Sequence, residues 1–347
     1  MDRIDLKNLT LSELTELILS LGEKKYRAVQ IYEWMHQKAA ASPMEMTNLP
    51  EAFRKQLAEK FDYTFLTKAV MLKSELDGTR KYLFRLFDGN VIESVRMEYK
   101  HGVSVCISSQ VGCRMGCSFC ASTIGGLVRN LSAAEMLDQI YAIERDTGER
   151  ISNVVVMGSG EPLDNFDNLV RFVRMLCDES GRNLSRRNIT VSTCGLCDRL
   201  KKLADEDLGI NPAISLHAPN DALRKQLMPV ANRYSIAEVM EAVDYYIEKT
   251  GRRMTFEYSL IRGVNDSAAH AKELAGLLSG RNCLVNLIPV NPVKERGYER
   301  STGANVQTFQ NLLEKAGINV TIRREMGSDI NAACGQLRRH YEEQTKA

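Results

Sequence analysis

No apolar run approaches the roughly 20 residues that a membrane-crossing helix needs, and the first residues, MDRIDLKNLT, lack the apolar stretch of a secretory leader. Both absences point to a cytoplasmic protein with no membrane partner. Strong charge of one sign is missing too: 46 basic residues against 44 acidic ones leave a net charge of +2. A dedicated nucleic-acid binder usually has a clear basic excess, so any RNA contact would come from local patches such as residues 182–187 (RNLSRR) or Arg323 and Arg324. Read alone, these patches are equally well solvated faces. Aromatic residues are scarce at 7%, but 44% hydrophobic and 26% charged residues exclude a disordered or fibrous chain. No internal repeat or low-complexity linker is present. Nine cysteines, an odd number spread over 347 residues, do not make a disulfide framework. They argue for metal or redox chemistry in a reducing compartment.

The pattern along the chain predicts an α/β protein with appendages. Residues 1–62 read as a helical unit: LTLSELTELILSLG and KKYRAVQIYEWMHQKAA carry apolar residues three and four apart, with Gly22 as a stop between them. Residues 63–101 alternate apolar and polar side chains around Asp77-Gly78 and Asp88-Gly89, the signature of a small β unit. From 102 to 337 strand and helix alternate. Strand candidates are VSVCIS (103–108), NVVVMG (153–158), NITVST (188–193), PAISLH (212–217), RMTFEYSL (253–260), LVNLIP (284–289) and NVTIRR (319–324). The helix beginning SAAEMLDQIYAIERD opens on a capping-box pair, Ser132 and Glu135. Alternation of this kind implies parallel strands with right-handed crossovers, and six or seven units fit a partial (β/α)6 barrel. Residues 338–347 are a tail. In such folds chemistry gathers at the carboxyl ends of the strands, where GSGEP (158–162), Ser192, Ser215, Leu216, His217 and Asn291 all fall.

VGCRMGCSFCAS, residues 111–122, is the most unusual stretch, because Cys113, Cys117 and Cys120 have no fourth cysteine nearby. Spacings of four and three would align them on a helix as small core residues, but Gly112 and Gly116 disfavour a helix there. Zinc with a distant fourth ligand is a second reading, although zinc sites usually show paired C-x-x-C units. The third is a 4Fe-4S cluster with one iron left open. C-x-x-x-C-x-x-C with Phe119 before the last cysteine resembles the radical S-adenosylmethionine enzymes, whose open iron chelates that cofactor. Gly158 and Gly160 permit close backbone approach, and Glu161 offers an acceptor for an ammonium group. In VSVCIS, Ser104, Cys106 and Ser108 share the face opposite Val103, Val105 and Ile107. Cys334 is flanked by Ala332, Ala333 and Gly335, which leave its sulfur sterically open. Cys194 and Cys197 form a single C-x-x-C without companion ligands, so Cys194 reads as part of a strand-end motif and Cys197 as incidental; Cys177 and Cys283 read as core.

Taken in order, VCISSQVGCRMGCSFC, GSGEPLDN, ITVSTCG, ISLHAPND, NLIPVNP and DINAACGQL resemble the dual-specificity RNA methyltransferases called RlmN, and YRAVQIYEWMH resembles that family's helical accessory domain. The related Cfr enzymes tend to carry Cys where this chain has Val111 and Ala where it has Pro162. The resemblance implies methylation at carbon 2 of adenosine 2503 in 23S rRNA and of adenosine 37 in some tRNAs. The alternatives are carbon-8 methylation as in Cfr, or a non-catalytic iron-sulfur RNA-binding protein. It implies a 4Fe-4S cluster on Cys113, Cys117 and Cys120, and S-adenosylmethionine held by Gly160, Glu161, Ser192, Ser215, Leu216, His217 and Asn291. Two molecules of that cofactor are used, one as methyl donor and one as radical source. It also implies that Cys334 becomes S-methylcysteine, that Cys106 forms a transient disulfide with it, and that Glu93 is the proton acceptor. The expected partners are 23S rRNA, tRNA and an electron donor such as flavodoxin or ferredoxin, with the protein acting as a monomer. Lys24, Lys25 and Arg27 of the helical unit are candidate RNA contacts. Neutralising the three is expected to abolish RNA methylation while leaving cleavage of S-adenosylmethionine intact, as measured by parallel assays of methyl transfer and 5′-deoxyadenosine release.

Overall fold

A computed structural model describes residues 3–100, 102–291, 293, 295–330 and 341. The amino-terminal unit consists of α1 (Leu11–Ser20), α2 (Tyr26–His36) and α3 (Glu51–Lys60). α1 begins at Thr10, whose hydroxyl accepts from the Glu13 N–H while the Glu13 carboxylate accepts from the Thr10 N–H. Just beyond its end Gly22 takes φ of +80°, the left-handed turn that lets the chain reverse into α2. Leu14, Ile18, Ala28, Ile31, Tyr32 and Met35 are buried and belong to the same continuous core as the rest of the protein.

One ten-stranded sheet forms the frame. Its first strands, β1 (Thr67–Lys73), β2 (Arg80–Arg85) and β3 (Val91–Tyr99), pair antiparallel through turns at Gly78 and Gly89, both with positive φ, as the Asp-Gly pairs predict. β3 then pairs antiparallel with β4 (Gly102–Ile107), Val95 opposite Cys106, so the small β unit continues the barrel's own sheet. After β4 comes a short hairpin outside the sheet, β5 (Gln110–Gly112) with β6 (Leu127–Asn130), which frames the cysteine loop. The chain then alternates: α4 (Ala133–Thr147), β7 (Asn153–Val156), α5 (Phe166–Leu176), β8 (Ile189–Thr193), α6 (Cys197–Asp205), β9 (Asn211–Ser215), α7 (Asp221–Leu227), α8 (Ile236–Thr250), β10 (Met254–Leu260), α9 (Ala268–Leu278), β11 (Cys283–Pro289), α10 (Gly303–Lys315) and β12 (Asn319–Ile322). From β4 to β12 the seven strands of the main sheet lie parallel and in chain order. Among the described residues β12 pairs only with β11, which leaves the barrel open on that side.

The two faces of this sheet differ in kind. Val105, Ile107, Val154, Val191, Ile214, Phe256, Val285 and Leu287 alternate onto the outer face and are buried under the helices. The register places Cys106, Val155, Ser192, Ser215, Glu257, Asn286 and Thr321 on the inner face. An interior this polar does not close into a solid core and instead lines a cavity.

Asp138 on α4 locks the amino-terminal unit to the barrel. It has no exposed surface, and its carboxylate accepts from Lys7 Nζ at 2.7 Å, from the Leu66 N–H at 2.7 Å and from Arg145 at 3.1 and 3.2 Å. Burial alone would raise its pKa, but the two cations beside it outweigh burial and hold the carboxyl below the usual range. Further ties are His36 Nδ1 with the Tyr141 hydroxyl at 3.0 Å and the fork of Arg171 on Glu13 at 2.5 and 2.8 Å. No described helix is long and apolar enough to cross a membrane. Asp138→Ala would strand Lys7 as a buried cation, and its expected cost is about 3–5 kcal/mol in urea unfolding followed by circular dichroism. A loss below about 1 kcal/mol, the range of a surface pair, would contradict this role.

Candidate active site

The loops that leave the parallel strands cannot pair with one another as strands do, so side chains join them. The Glu161 N–H, in the loop after β7, donates to the Gln110 side-chain carbonyl at 2.8 Å. Its carboxylate accepts from the Leu163 N–H at 3.0 Å and, in the loop after β8, from the Cys194 N–H at 2.7 Å. Burial pushes the Glu161 carboxyl up, against the pull of these backbone donors. Gly160 has φ of +108°, and a Cβ there would lie 2.6 Å from Gln110, so only glycine fits this approach. Gly158 is constrained in the same way by the Ile107 carbonyl, at 2.7 Å from where a Cβ would sit.

Residues 113–120 form no helix, and Gly112 and Gly116 both take positive φ, in keeping with the loop read from the sequence. The loop's backbone is fixed at several points: the Cys113 N–H donates to Gly126 O at 3.0 Å, the Ser118 N–H to Leu227 O at 2.8 Å, and Arg296 donates to Cys120 O at 3.0 Å. Cys113 and Cys117 are buried and Cys120 is partly exposed. Burial, added to by the neighbouring thiols, pushes Cys113 up to about 12 and Cys117 up as well. They therefore stay protonated until a cation displaces the proton.

Cys106, Cys113, Cys117, Cys120, Gly160, Glu161, Ser192, Ser215, His217 and Asn291 all line a single cavity of about 310 Å³ at the carboxyl ends of the strands. Ser192 and Ser215 hydroxyls lie 3.3 Å apart on adjacent strands. His217 has φ of +56°, its ring edge meets Phe119 of the cysteine loop at 4.9 Å between centroids, and its Nδ1 accepts the Ser259 N–H at 2.9 Å. With Nδ1 an acceptor, the proton of the neutral ring sits on Nε2, which is then a donor. Leu216 is in the apolar core, its N–H bonded to Glu257 O at 3.1 Å, and it does not line the cavity that its neighbours Ser215 and His217 line. Glu93 is buried on β3, ion-paired to Lys81 at 3.3 Å, and lies two residues from the cavity-lining Val95 on the same strand face. Cys334 lies outside the described residues.

Several residues reach the site without having been singled out. Glu257 on β10 is buried in the cavity floor, where burial pushes its carboxyl up and Asn286 donates to it at 2.9 Å. A carboxylate amid the apolar residues of MTFEYSL was the signal available for it. Ser259, Met157 and Arg300 also line the cavity, and Arg323 and Arg324, the pair read from the sequence as a basic patch, stand exposed at its rim. The 182–187 patch is corrected in part: Arg182 is buried against Glu144 and Ile151 O, so only Arg186 and Arg187 are exposed cations there.

Among the described residues no three His, Cys, Asp or Glu side chains close on one metal ion. Three soft thiols spaced around one cavity wall suit a multi-iron cluster, in which each thiolate takes a different iron. The cavity beside them combines apolar walls, among them Met115, Phe119 and Met157, with the polar groups of Glu161, Ser192, Ser215 and Asn291.

Residues 107–275 match the Radical SAM superfamily and residues 4–62 match the ribosomal RNA large subunit methyltransferase N-terminal domain. A probable dual-specificity RNA methyltransferase RlmN of Lachnoclostridium phytofermentans is 60% identical over 99% of this chain and 97% of its own. The protein of the same description from Lachnospira eligens is 61% identical over 98% and 97%. The crystal structure of a radical SAM methyltransferase from Sphaerobacter thermophilus superposes with a TM-score of 0.93 at 46% identity, covering 96% of this chain and 98% of that one.

Burial, with the nearby Arg224 charge, lowers the pKa of His217 to about 3. The unfolded chain therefore binds the proton more tightly, so stability is full above about pH 6.5 and falls as pH drops below it. Between pH 6.5 and 5 this group is expected to remove about 2 kcal/mol. His217→Gln should lose that part of the pH slope in urea unfolding of the metal-free protein and keep the part due to His36, which burial also pushes down to about 3. An unchanged slope would contradict a neutral, buried His217.

Proposed function

The chain belongs to the family of dual-specificity RNA methyltransferases called RlmN, and on that premise we propose that it methylates carbon 2 of adenosine, at position 2503 of 23S rRNA and position 37 of some tRNAs. The observation that supports this reading best is the company Cys106 keeps. It lines the cavity that Cys113, Cys117 and Cys120 also line, and Met326 and Ile330, which precede Cys334 in the chain, pack against the small apolar cluster that it forms with Val95 and Met97. Cys334 follows Ile330 by four residues, which an extended chain spans in about 14 Å. That segment is itself anchored: Asp329 accepts from Ser74 Oγ at 2.6 Å and the Glu75 N–H at 2.9 Å, and the Gly327 N–H donates to Asp77 at 2.9 Å.

Cys113, Cys117 and Cys120 would hold the 4Fe-4S cluster. Gly160, Glu161, Ser192, Ser215, His217 and Asn291 would hold S-adenosylmethionine. When bound, cluster and cofactor supply a methyl donor in one turn and a carbon radical able to take hydrogen in the next. Carbon 2 of adenine is neither nucleophilic nor acidic, so this chain's residues must present the carbon themselves. The Cys334 thiolate takes a methyl group by displacement. Loss of a hydrogen from that S-methyl group lets its carbon bond to carbon 2, joining protein and RNA. Glu93, ion-paired with Lys81, then accepts the ring proton. Finally the Cys106 thiolate attacks the sulfur of Cys334: an S–S bond forms as the S–C bond breaks, the freed carbon takes a proton to complete the methyl group, and the one surplus electron would pass back to the cluster held by Cys113, Cys117 and Cys120.

The amino-terminal unit, with Lys24 and Lys25 exposed, is the proposed accessory RNA contact. The enzyme is proposed to act as a monomer in the cytoplasm with a flavodoxin or ferredoxin as reductant. Cys106→Ala, reconstituted anaerobically with substrate RNA, S-adenosylmethionine and reductant, is expected to accumulate RNA covalently attached through Cys334, seen as a gel shift and a cross-linked peptide by mass spectrometry. Release of free methylated RNA at the normal rate would overturn the role of Cys106.

A further inference from the structure

Among the described residues, Arg224 on α7 is the largest wholly buried side chain. Its guanidinium donates to two neutral acceptors, Cys194 O at 2.6 Å and Tyr234 O at 3.3 Å, and its Nε has no hydrogen-bond partner. No carboxylate among the described residues forms an ion pair with it. The other wholly buried cations differ: Lys7 sits on Asp138 and Lys81 on Glu93, each at hydrogen-bonding or ion-pair distance. A lone buried charge is strongly unfavourable unless something supplies its counter-ion.

Its surroundings show what that counter-ion is. Cys194, whose carbonyl it holds, lines the cavity, and a Cβ on Gly195 would come within 3.2 Å of Nη2. One helical turn on, Leu227 O fixes the Ser118 N–H in the cysteine loop, and Met228 lines the cavity. The helix that carries the cation thus also holds the cysteine loop, and the acidic groups near the guanidinium are the thiols of Cys194, Cys197 and Cys117 and, more weakly, the carboxylate of Asp221 on its own helix. A cluster bound by three thiolates is an anion, and it becomes one unit more negative on reduction. In a dry site, a fixed positive charge favours the more negative state.

We propose that Arg224 is the fixed countercharge of the cluster site, a positioning residue that raises the reduction potential of the cluster bound to Cys113, Cys117 and Cys120. This rests on the reading that those three cysteines hold a 4Fe-4S cluster. Arg224 touches none of the reacting atoms. It acts through the energy of the reduced cluster.

The test uses the full chain, reconstituted anaerobically, with three variants. Arg224→Gln and Arg224→Met remove the charge, Met filling similar volume without a buried amide to satisfy; Arg224→Lys keeps the charge but not the fork. Folding is checked by circular dichroism, iron is counted, and the midpoint is read by mediated titration of the reduced-cluster electron paramagnetic resonance signal. Both neutral variants are expected to bind wild-type iron and titrate at a more negative potential, with Arg224→Lys close to wild type. A neutral variant that folds, loads iron and keeps the wild-type midpoint would overturn the proposal. A Lys variant displaced as far as the neutral ones would likewise reduce Arg224 to a bridge between two carbonyls. Failure of the wild-type protein to take up iron and show the signal would instead sink the cluster reading itself.

Discussion

The site depends on one buried carboxylate. Neighbouring strands of a parallel sheet are tied by backbone hydrogen bonds, but beyond their carboxyl ends the loops have no such ladder, and each must be held by something else. Glu161 does this for three of them, reaching Gln110 through its N–H and Leu163 and Cys194 through its two oxygens. Bonds from backbone donors to an acidic group are strong in a dry setting, and they cannot slide as apolar contacts can. Cys194 passes the tie on through Arg224 to Tyr234, and Leu227 at the end of the same helix carries it to the cysteine loop.

The strand pattern explains why there is a cavity to hold. On the outer face Val, Ile, Leu and Phe pack under the helices, as in any α/β layer. On the inner face the same strands carry Ser192, Ser215, Glu257 and Asn286, whose polar groups answer one another across the sheet. A core built from those residues would leave donors and acceptors unmet. A cavity lets a polar ligand meet them, and the strained backbone of His217 at its edge is what aims a neutral imidazole there.

Much of this was legible in the sequence because it rests on local chemistry. The seven parallel strands follow from apolar runs between turn residues, α4 begins at its capping box, and the Asp-Gly pairs make the first hairpins. The cysteine loop declared itself by spacing and by its glycines. What was not legible depends on partners distant in the chain. Arg182 reads as part of a basic patch until Glu144, 38 residues away, is seen to bury it. The β5–β6 hairpin has only three and four residues per strand, too few for a periodic signal. Nothing in a sequence says that a meander such as β1 to β3 will join the next sheet rather than stand apart, because that is decided by the pairing of Val95 with Cys106. Glu257 was hidden by context, since a single acidic residue in a strand reads as an outward-facing one.

The cysteine loop is held in place by Gly126, Leu227 and Arg296. Two of these anchors stand far from the cysteines in sequence, Leu227 at the end of α7 and Arg296 after β11, so a substitution at either would reshape the loop without touching a thiol.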